Sequence, residues 1–370
     1  MTLPMMEQLA EEIARHLERG LGIPSFGDPR FAAHDLKEEN FHEVQPSRQA
    51  HRVAFVDGGQ QPIFSSPSLA LWLQRVAYVL YEGDRSLPSQ ELKQRVDYYA
   101  LALAEPGEED ELEFQVYLYP VDIETAHLLP EEAHLRFSSK DRSLAWGYHR
   151  VEIGMVLDTV RLYAEWTLAR AVAEHELTDG DVVVRDGTLQ TGRTNEGIYA
   201  TAAYDAALKN GVLFGALSKS STLFTSTGLP LLSAIGGLAH RVPYSTWYYH
   251  PIVDITHPDH RGDMYAVQFH SRAEYIFRFE ILREQAENGT GLVGDLLATL
   301  AQNSRDIRFP GYPFGLIDAD RVARVRQWEA GPHITRFLSE ASRLDILDRL
   351  NDFRRTVDAH SRLDEVILGG

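Results

Sequence analysis

Two aspartates carry the chemistry that this chain's residue types and spacing make available. Asp57 follows the uniformly apolar run Val53-Ala-Phe-Val56 and precedes Gly58-Gly59, and Asp186 follows Val182-Val-Val-Arg185 and precedes Gly187. A carboxylate just past a buried strand is held by a rigid element, and two or three of them converging supply the oxygen donors a hard divalent cation takes. Such a site suits phosphodiester hydrolysis, in which two metal ions about 4 Å apart activate water and stabilise the leaving oxygen. Asp-Gly is equally a hairpin turn pair, so these residues alone leave a turn and a ligand both open. A further acid comes from the segment Arg161-Leu-Tyr-Ala-Glu165-Trp166, and Glu152 lies earlier in the same stretch. A glutamate among apolar helical neighbours needs a partner, and Arg161 one turn away is one, so a structural salt bridge and metal ligation stand as alternatives for Glu165.

Other polar groups are weaker candidates. Lys219 follows an apolar strand in Gly215-Ala-Leu-Ser-Lys219-Ser220, but no glycine precedes it as a phosphate-binding loop requires. Nucleotide hydrolysis is therefore not expected, and a lysine among hydroxyls remains able to hold a DNA backbone. His250, Asp254, His257, Asp259 and His260 are dense in metal-ligand types, yet two prolines make the segment a loop with no zinc spacing, and a polar turn is expected. Residues 211–330 are close to neutral, so the acidic excess lies elsewhere; arginines there share the segment with Tyr244, Trp247, Tyr248, Tyr249 and Tyr312, a mixture compatible with stacking on single strands or with ordinary packing.

The elements that must position these groups follow from periodicity. Val53–Val56 reads as a short buried strand opening into a glycine turn, followed by candidate strands at 71–81, 96–104 and 112–119, the first of which could equally be a helix. Residues 148–176 lack proline, and Ile153, Val156, Leu157, Val160, Tyr163, Ala164 and Leu168 follow helical spacing. Strand 182–184, helix 199–209, strand 212–217, strands within 248–281 and helices near 291–303 and 318–329 come next. Leu9, Ile13 and Leu17 mark an amphipathic helix that either packs on the body or docks another protein, and residues 25–50 read as an irregular connector. Without strict βαβ alternation, a mixed sheet with helices on its faces is expected.

Bulk properties set limits. The chain has 370 residues, enough for roughly two domains. A formal net charge of −18 excludes coating nucleic acid or anionic membrane by bulk charge. Cysteine is absent, which removes disulfides, thiolate zinc sites and cysteine nucleophiles, and fits a reducing cytoplasm. The first residues do not read as a secretory signal, and no apolar stretch reaches the roughly 20 residues of a membrane span, so no membrane is expected as a partner.

Taken in order, Val-Ala-Phe-Val-Asp57-Gly-Gly, Arg161-x-x-Ala-Glu165, Val-Val-Val-Arg-Asp186-Gly-Thr-Leu, Gly215-x-x-x-Lys219-Ser and Gly-Tyr312-Pro313-Phe-Gly-Leu-Ile-Asp-Ala319 resemble the NurA nuclease family over roughly residues 50–330. The resemblance implies an RNase H-like α/β fold, with a mixed β-sheet core flanked by helices. It divides the chain into an N-terminal helical extension and connector at 1–50, a NurA-like nuclease domain at 51–330, and a C-terminal helical tail at 331–370. It implies a manganese-dependent deoxyribonuclease with two ions, magnesium being the alternative, that acts as a 5′ to 3′ exonuclease and single-strand endonuclease. It further implies a homodimer working with a HerA-type hexameric translocase in DNA end resection and repair. Asp57 and Asp186 match the family's metal-binding aspartates, Glu165 best matches its helical acid with Glu152 as the alternative, and Lys219 and Tyr312 become candidates for DNA contact. Where the family has histidine after alanine, this chain has Asp320, a carboxylate that prefers harder cations than imidazole does. The other class kept open is a catalytically weak scaffold that binds DNA or a motor protein.

Overall fold

A computed structural model describes residues 3–17, 20–46, 51–108, 111–145, 147, 149–287 and 290–354. In chain order its main elements are α1 (Leu3–Leu17), β1 (Phe41–Glu43), β2 (Arg52–Ser65), β3 (Leu69–Glu82), β4 (Arg95–Pro106) and β5 (Leu112–Pro120). Then come α2 (Ile153–His175), β6 (Val182–Asp186), α3 (Glu196–Asn210), β7 (Leu213–Ser218), α4 (Leu231–Ala239), β8 (Trp247–Tyr249), β9 (Gly262–Gln268) and β10 (Phe277–Leu282). Helices α5 (Thr290–Asn303), α6 (Phe314–Ala323), α7 (Gln327–Arg343) and α8 (Leu347–Arg354) follow. They fall into two compact units, one drawn from residues 1–51, 186–190 and 213–314, the other from 52–185, 191–212 and 315–370.

In the second unit the strands run β6-β2-β3-β4-β5, with β6 parallel to β2 and the remaining neighbours antiparallel. This is the mixed sheet expected from the sequence. The ambiguous segment 71–81 is a strand: Val76 to Tyr81 are all buried, which is the signature of a strand covered on both faces. Helix α2 packs on β2 and β3 and is buried nearly all round, with Val156, Leu157, Val160, Tyr163, Ala164, Trp166 and Leu168 fully buried. A Cβ on Gly58 would meet Glu165 of α2, whereas one on Gly59 would meet the carbonyl of Ala323. Successive strand residues point to opposite faces, so α2 and the end of α6 cover opposite faces of β2.

The expected helix 318–329 is broken at Arg324. The buried Arg75 guanidinium donates to the Arg324 carbonyl at 3.0 Å and pairs with Asp97 at 2.5 Å and Glu329 at 3.0 Å, so backbone there is bound by a side chain instead of a helical turn. Beyond the break, Val325 packs with Ile63 and Leu73, and Ala341 and Leu350 pack with Phe64. The described part of the C-terminal tail is thus packed on β2 and β3; residues 355–370 lie outside the described residues.

In the first unit the strands run β1-β8-β9-β10-β7, all antiparallel. Leu231, Ile235 and Leu238 of α4 cover them, packing with Trp247, Tyr249 and Met264. The expected connector is more ordered than its sequence suggests. Phe31–Ala33 pairs with Val253–Ile255, and β1 pairs with β8. Strands of three residues are too short to leave a periodic signal, and their partners lie about two hundred residues away. Leu9 and Ile13 of the α1 stripe are exposed, at 49 % and 59 %, so these two side chains are not packed on the body.

Candidate active site

Asp57 lies inside a fourteen-residue strand rather than at a strand end. The two glycines after it do not turn the chain: β2 continues, still paired with β3, and the glycines make room for α2 and α6. Asp57 is 8 % exposed, and its Oδ1 accepts the Gly58 N–H at 2.7 Å. Above Gly58, Glu165 is buried between two arginines. Arg161 Nη1 bonds to its Oε1, and Arg185 Nη2 reaches its Oε2 at 3.3 Å. Arg161 also donates to the Gly58 carbonyl at 3.3 Å, and the Arg185 guanidinium lies 4.0 Å from the Trp166 ring centroid.

Electrostatics keep Arg161 ionised. Burial alone would lower the pKa of Arg161, but the charges of Glu165, Asp158 and Asp57 raise it above the ordinary arginine value. Burial pushes the Tyr98 phenol upward, so that hydroxyl stays neutral. Of the two alternatives open for Glu165, its geometry is that of a salt bridge, because both its oxygens are engaged by guanidinium groups. Arg185 was missed by sequence reasoning. Its signal was there, since a cation inside an otherwise apolar strand needs an anion.

Asp186 ends β6 and belongs with a short segment of the first unit. Gly187 has φ +114°, a conformation that favours glycine, and turns the chain there. Four contacts then fix the segment. Gly187 N–H donates to the Leu217 carbonyl at 3.0 Å, Ser218 Oγ donates to the Gly187 carbonyl at 2.8 Å, and Lys219 Nζ lies 2.6 Å from the Asp186 carboxylate. The Leu189 N–H donates to Glu280 Oε2 at 2.7 Å. Glu280 is fully buried and also receives His260 Nε2 at 3.0 Å and Arg278 Nε at 2.7 Å. Burial would raise its pKa, but the Arg278 charge and the His260 hydrogen bond outweigh that and hold it at about 2.

Glu152 is exposed at the N-cap of α2, roughly 20 Å along the helix from Glu165 at about 1.5 Å per residue. Asp320 is not at a helix start; it sits within α6 and pairs with Arg324 at 2.6 Å one turn on. Tyr312 is 3 % exposed, its ring packed against Phe277 at 5.1 Å and Phe309 at 5.3 Å, so no base can stack on it. Lys219 faces Asp186 rather than standing alone for phosphate. The histidine-rich loop forms pairs, including His250 with Asp263 at 3.0 Å. Among the described residues no three His, Asp or Glu side chains come together in a group able to hold a metal ion.

Solved structures similar to this chain include the NurA nuclease from Sulfolobus solfataricus, 11 % identical over 94 % of this chain and 99 % of that one, with a TM-score of 0.49. The catalytic domain of human endonuclease V is 10 % identical over 87 % of this chain and 96 % of that one, with a TM-score of 0.34. An A. aeolicus Argonaute is 9 % identical over 75 % of this chain and 28 % of its own, with a TM-score of 0.29. No curated protein matches. The family described as the NurA domain matches residues 51–325, a span from β2 through α6 that holds Asp57, Glu165 and Asp186, and the chain therefore belongs to the NurA domain family.

Proposed function

We propose that the protein is a divalent-metal-dependent DNA nuclease. The observation that carries this reading is the match of the NurA domain to residues 51–325, within which Asp57 lies in β2 and Asp186 ends β6. Carboxylate oxygens fit a hard divalent cation, so these two side chains would hold it. When bound, such an ion polarises phosphoryl oxygen and makes a bound water acidic. On the α2 face of β2, Glu165 serves as an anchor for Arg161 and Arg185, and Lys219 balances the charge of Asp186. The test is cleavage of end-labelled single- and double-stranded DNA with manganese, magnesium or chelator, beside Asp57→Asn. Metal-dependent cleavage that Asp57→Asn abolishes is expected, and wild-type activity in that variant would overturn the proposal.

The finer reading is a 5′ to 3′ exonuclease and single-strand endonuclease on an RNase H-like core, using manganese, in a cytoplasmic homodimer that acts in end resection and repair. A mixed sheet with helices on both faces of β2 supports the core. The net charge of −18 is poorly suited to holding DNA unaided at physiological salt, which supports a partner motor of the HerA type. The exposed stripe of α1 is the docking surface we assign to it; co-purification that survives removal of α1 would refute that assignment. The engagement of Glu165 and Asp186 by cationic side chains favours the second reading, a catalytically weak scaffold, which DNA binding without cleavage would support.

A further inference from the structure

Glu280 and His260 have a second consequence within the first unit. His260 is fully buried, and with Nε2 on Glu280 its Nδ1 has no hydrogen-bond partner. An ionised carboxylate only accepts, so Nε2 carries a proton there, and Nδ1 is left as a buried polar atom without a partner. Leaving such an atom buried and unmet is costly unless something fills its place. His260 lines a cavity of about 290 Å³ whose wall also includes Gln190, Arg278, Phe26, Phe31 and Met264.

The wall has a distinct chemical character. Phe26 and Phe31 are stacked, with centroids 5.4 Å apart and planes 16° from parallel, and Phe31 lies 5.7 Å from the His260 ring. Arg278 is nearly buried at 12 % and is held by Glu280 through Nε and Nη2, which leaves the donors of Nη1 for another acceptor. An aromatic pair, a histidine ring, a carboxamide and a guanidinium group suit a flat heterocycle with hydrogen-bonding groups on its edge. The cavity is at the small end of the usual range for ligand pockets, so it takes one ring system rather than a run of nucleotides. Gln190 ends the segment that begins with Asp186, and four residues of chain span at most about 14 Å.

We propose that this cavity binds a single nucleobase, so that one base of the DNA strand is seated beside the segment that carries Asp186. The base stacks on Phe31 next to the His260 ring and is bracketed by Gln190 and Arg278. Base binding stands on the cavity alone, while its place on the cleaved strand rests on the nuclease reading.

The two parts are tested separately on the full chain. In chelator, calorimetric titration with dAMP, dCMP, dGMP and dTMP is compared with deoxyribose 5-phosphate, which lacks a base. Binding of at least one nucleotide, weakened about tenfold in Phe31→Leu and in Gln190→Ala, is the expected result. No binding by folded wild type, equal binding of deoxyribose 5-phosphate, or binding that neither cavity variant alters would each overturn the proposal. The second arm uses end-labelled single strands with one abasic nucleotide. Wild type is expected to cut several-fold more slowly at one fixed offset from the gap, and Phe31→Leu is expected to lose that dependence. Cleavage indifferent to the gap would refute the strand placement, whereas no cleavage of any strand would count against the nuclease reading and leave the nucleotide titration to decide the cavity.

Discussion

Replacing Glu165 by glutamine separates an anchoring carboxylate from a metal ligand. Glu165 is 7 % exposed and is shared by Arg161 and Arg185, whose side chains are 24 % and 7 % exposed. Removing one partner of a buried ion pair costs about 3–5 kcal/mol, because a charge is left in a poorly solvated place. Glutamine keeps the volume and one acceptor oxygen, and Arg185 keeps its contact with Trp166, so a loss of about 3 kcal/mol, at the low end of that range, is expected. At about 2–4 °C per kcal/mol for a body of this size, melting should fall by roughly 6–12 °C. Circular dichroism during heating, with a urea titration to confirm an unchanged slope, measures it. If Glu165→Gln melts at or above wild type, the carboxylate was under repulsion from neighbouring acids, and the anchoring argument is wrong.

Asp57→Asn and Asp186→Asn should each abolish cleavage with melting near wild type, since the partly exposed pair of Asp186 with Lys219 contributes no more than about 1 kcal/mol; a folded, fully active variant would remove that residue from the site. Gly315→Ala places a Cβ 2.0 Å from Cδ2 of the fully buried Phe55 ring, and this overpacking should cost about 1–3 kcal/mol in a denaturant titration, with an unchanged midpoint as the contrary result. Glu280 has its pKa lowered from the ordinary 4.5 to about 2, so its contribution is present above pH 4.5 and lost as pH falls toward 2. Melting temperatures across that window should fall less steeply in Glu280→Gln than in wild type; parallel curves would contradict this. Asp320→Ala should cost no more than about 0.5 kcal/mol and leave the metal titration of cleavage unmoved, a shifted titration being the refuting result.

The elements most legible in the sequence are those whose burial is set by local pattern. Helix α2 is recognisable because apolar residues fill its spacing without glycine or proline beyond Gly154, and β4 and β5 because alternation and flanking turns bound them. Strand β2 is under-read because Asp57-Gly58-Gly59 has the composition of a turn, while the real reason for the glycines is what lies across from them, Glu165 on one face and Ala323 on the other. No local pattern contains that information. The same holds for the break after α6, which depends on Arg75 some 250 residues earlier. At the site, the two aspartates and the Arg161–Glu165 pair are legible from residue type and context. Glu280 is not, since its importance comes from the Leu189 backbone in the segment after β6 and from His260, although an acid among Phe277, Phe279 and Ile281 already called for partners.

The interleaving of the two units bears on how the chain can be made. The polypeptide passes from one unit to the other five times, at 51/52, 185/186, 190/191, 212/213 and 314/315, so each unit is stitched from three separate stretches. Val53 pairs with Val182, which leaves the ribosome roughly 6–25 s later at about 5–20 residues per second. Until then one edge of β2, apolar on both faces, waits without its parallel neighbour. Contacts this distant in sequence make for slow folding and a premium on shielding the nascent strand. They also mean that no single cut yields either unit as a contiguous fragment, so the two units must be told apart by point substitution rather than by truncation.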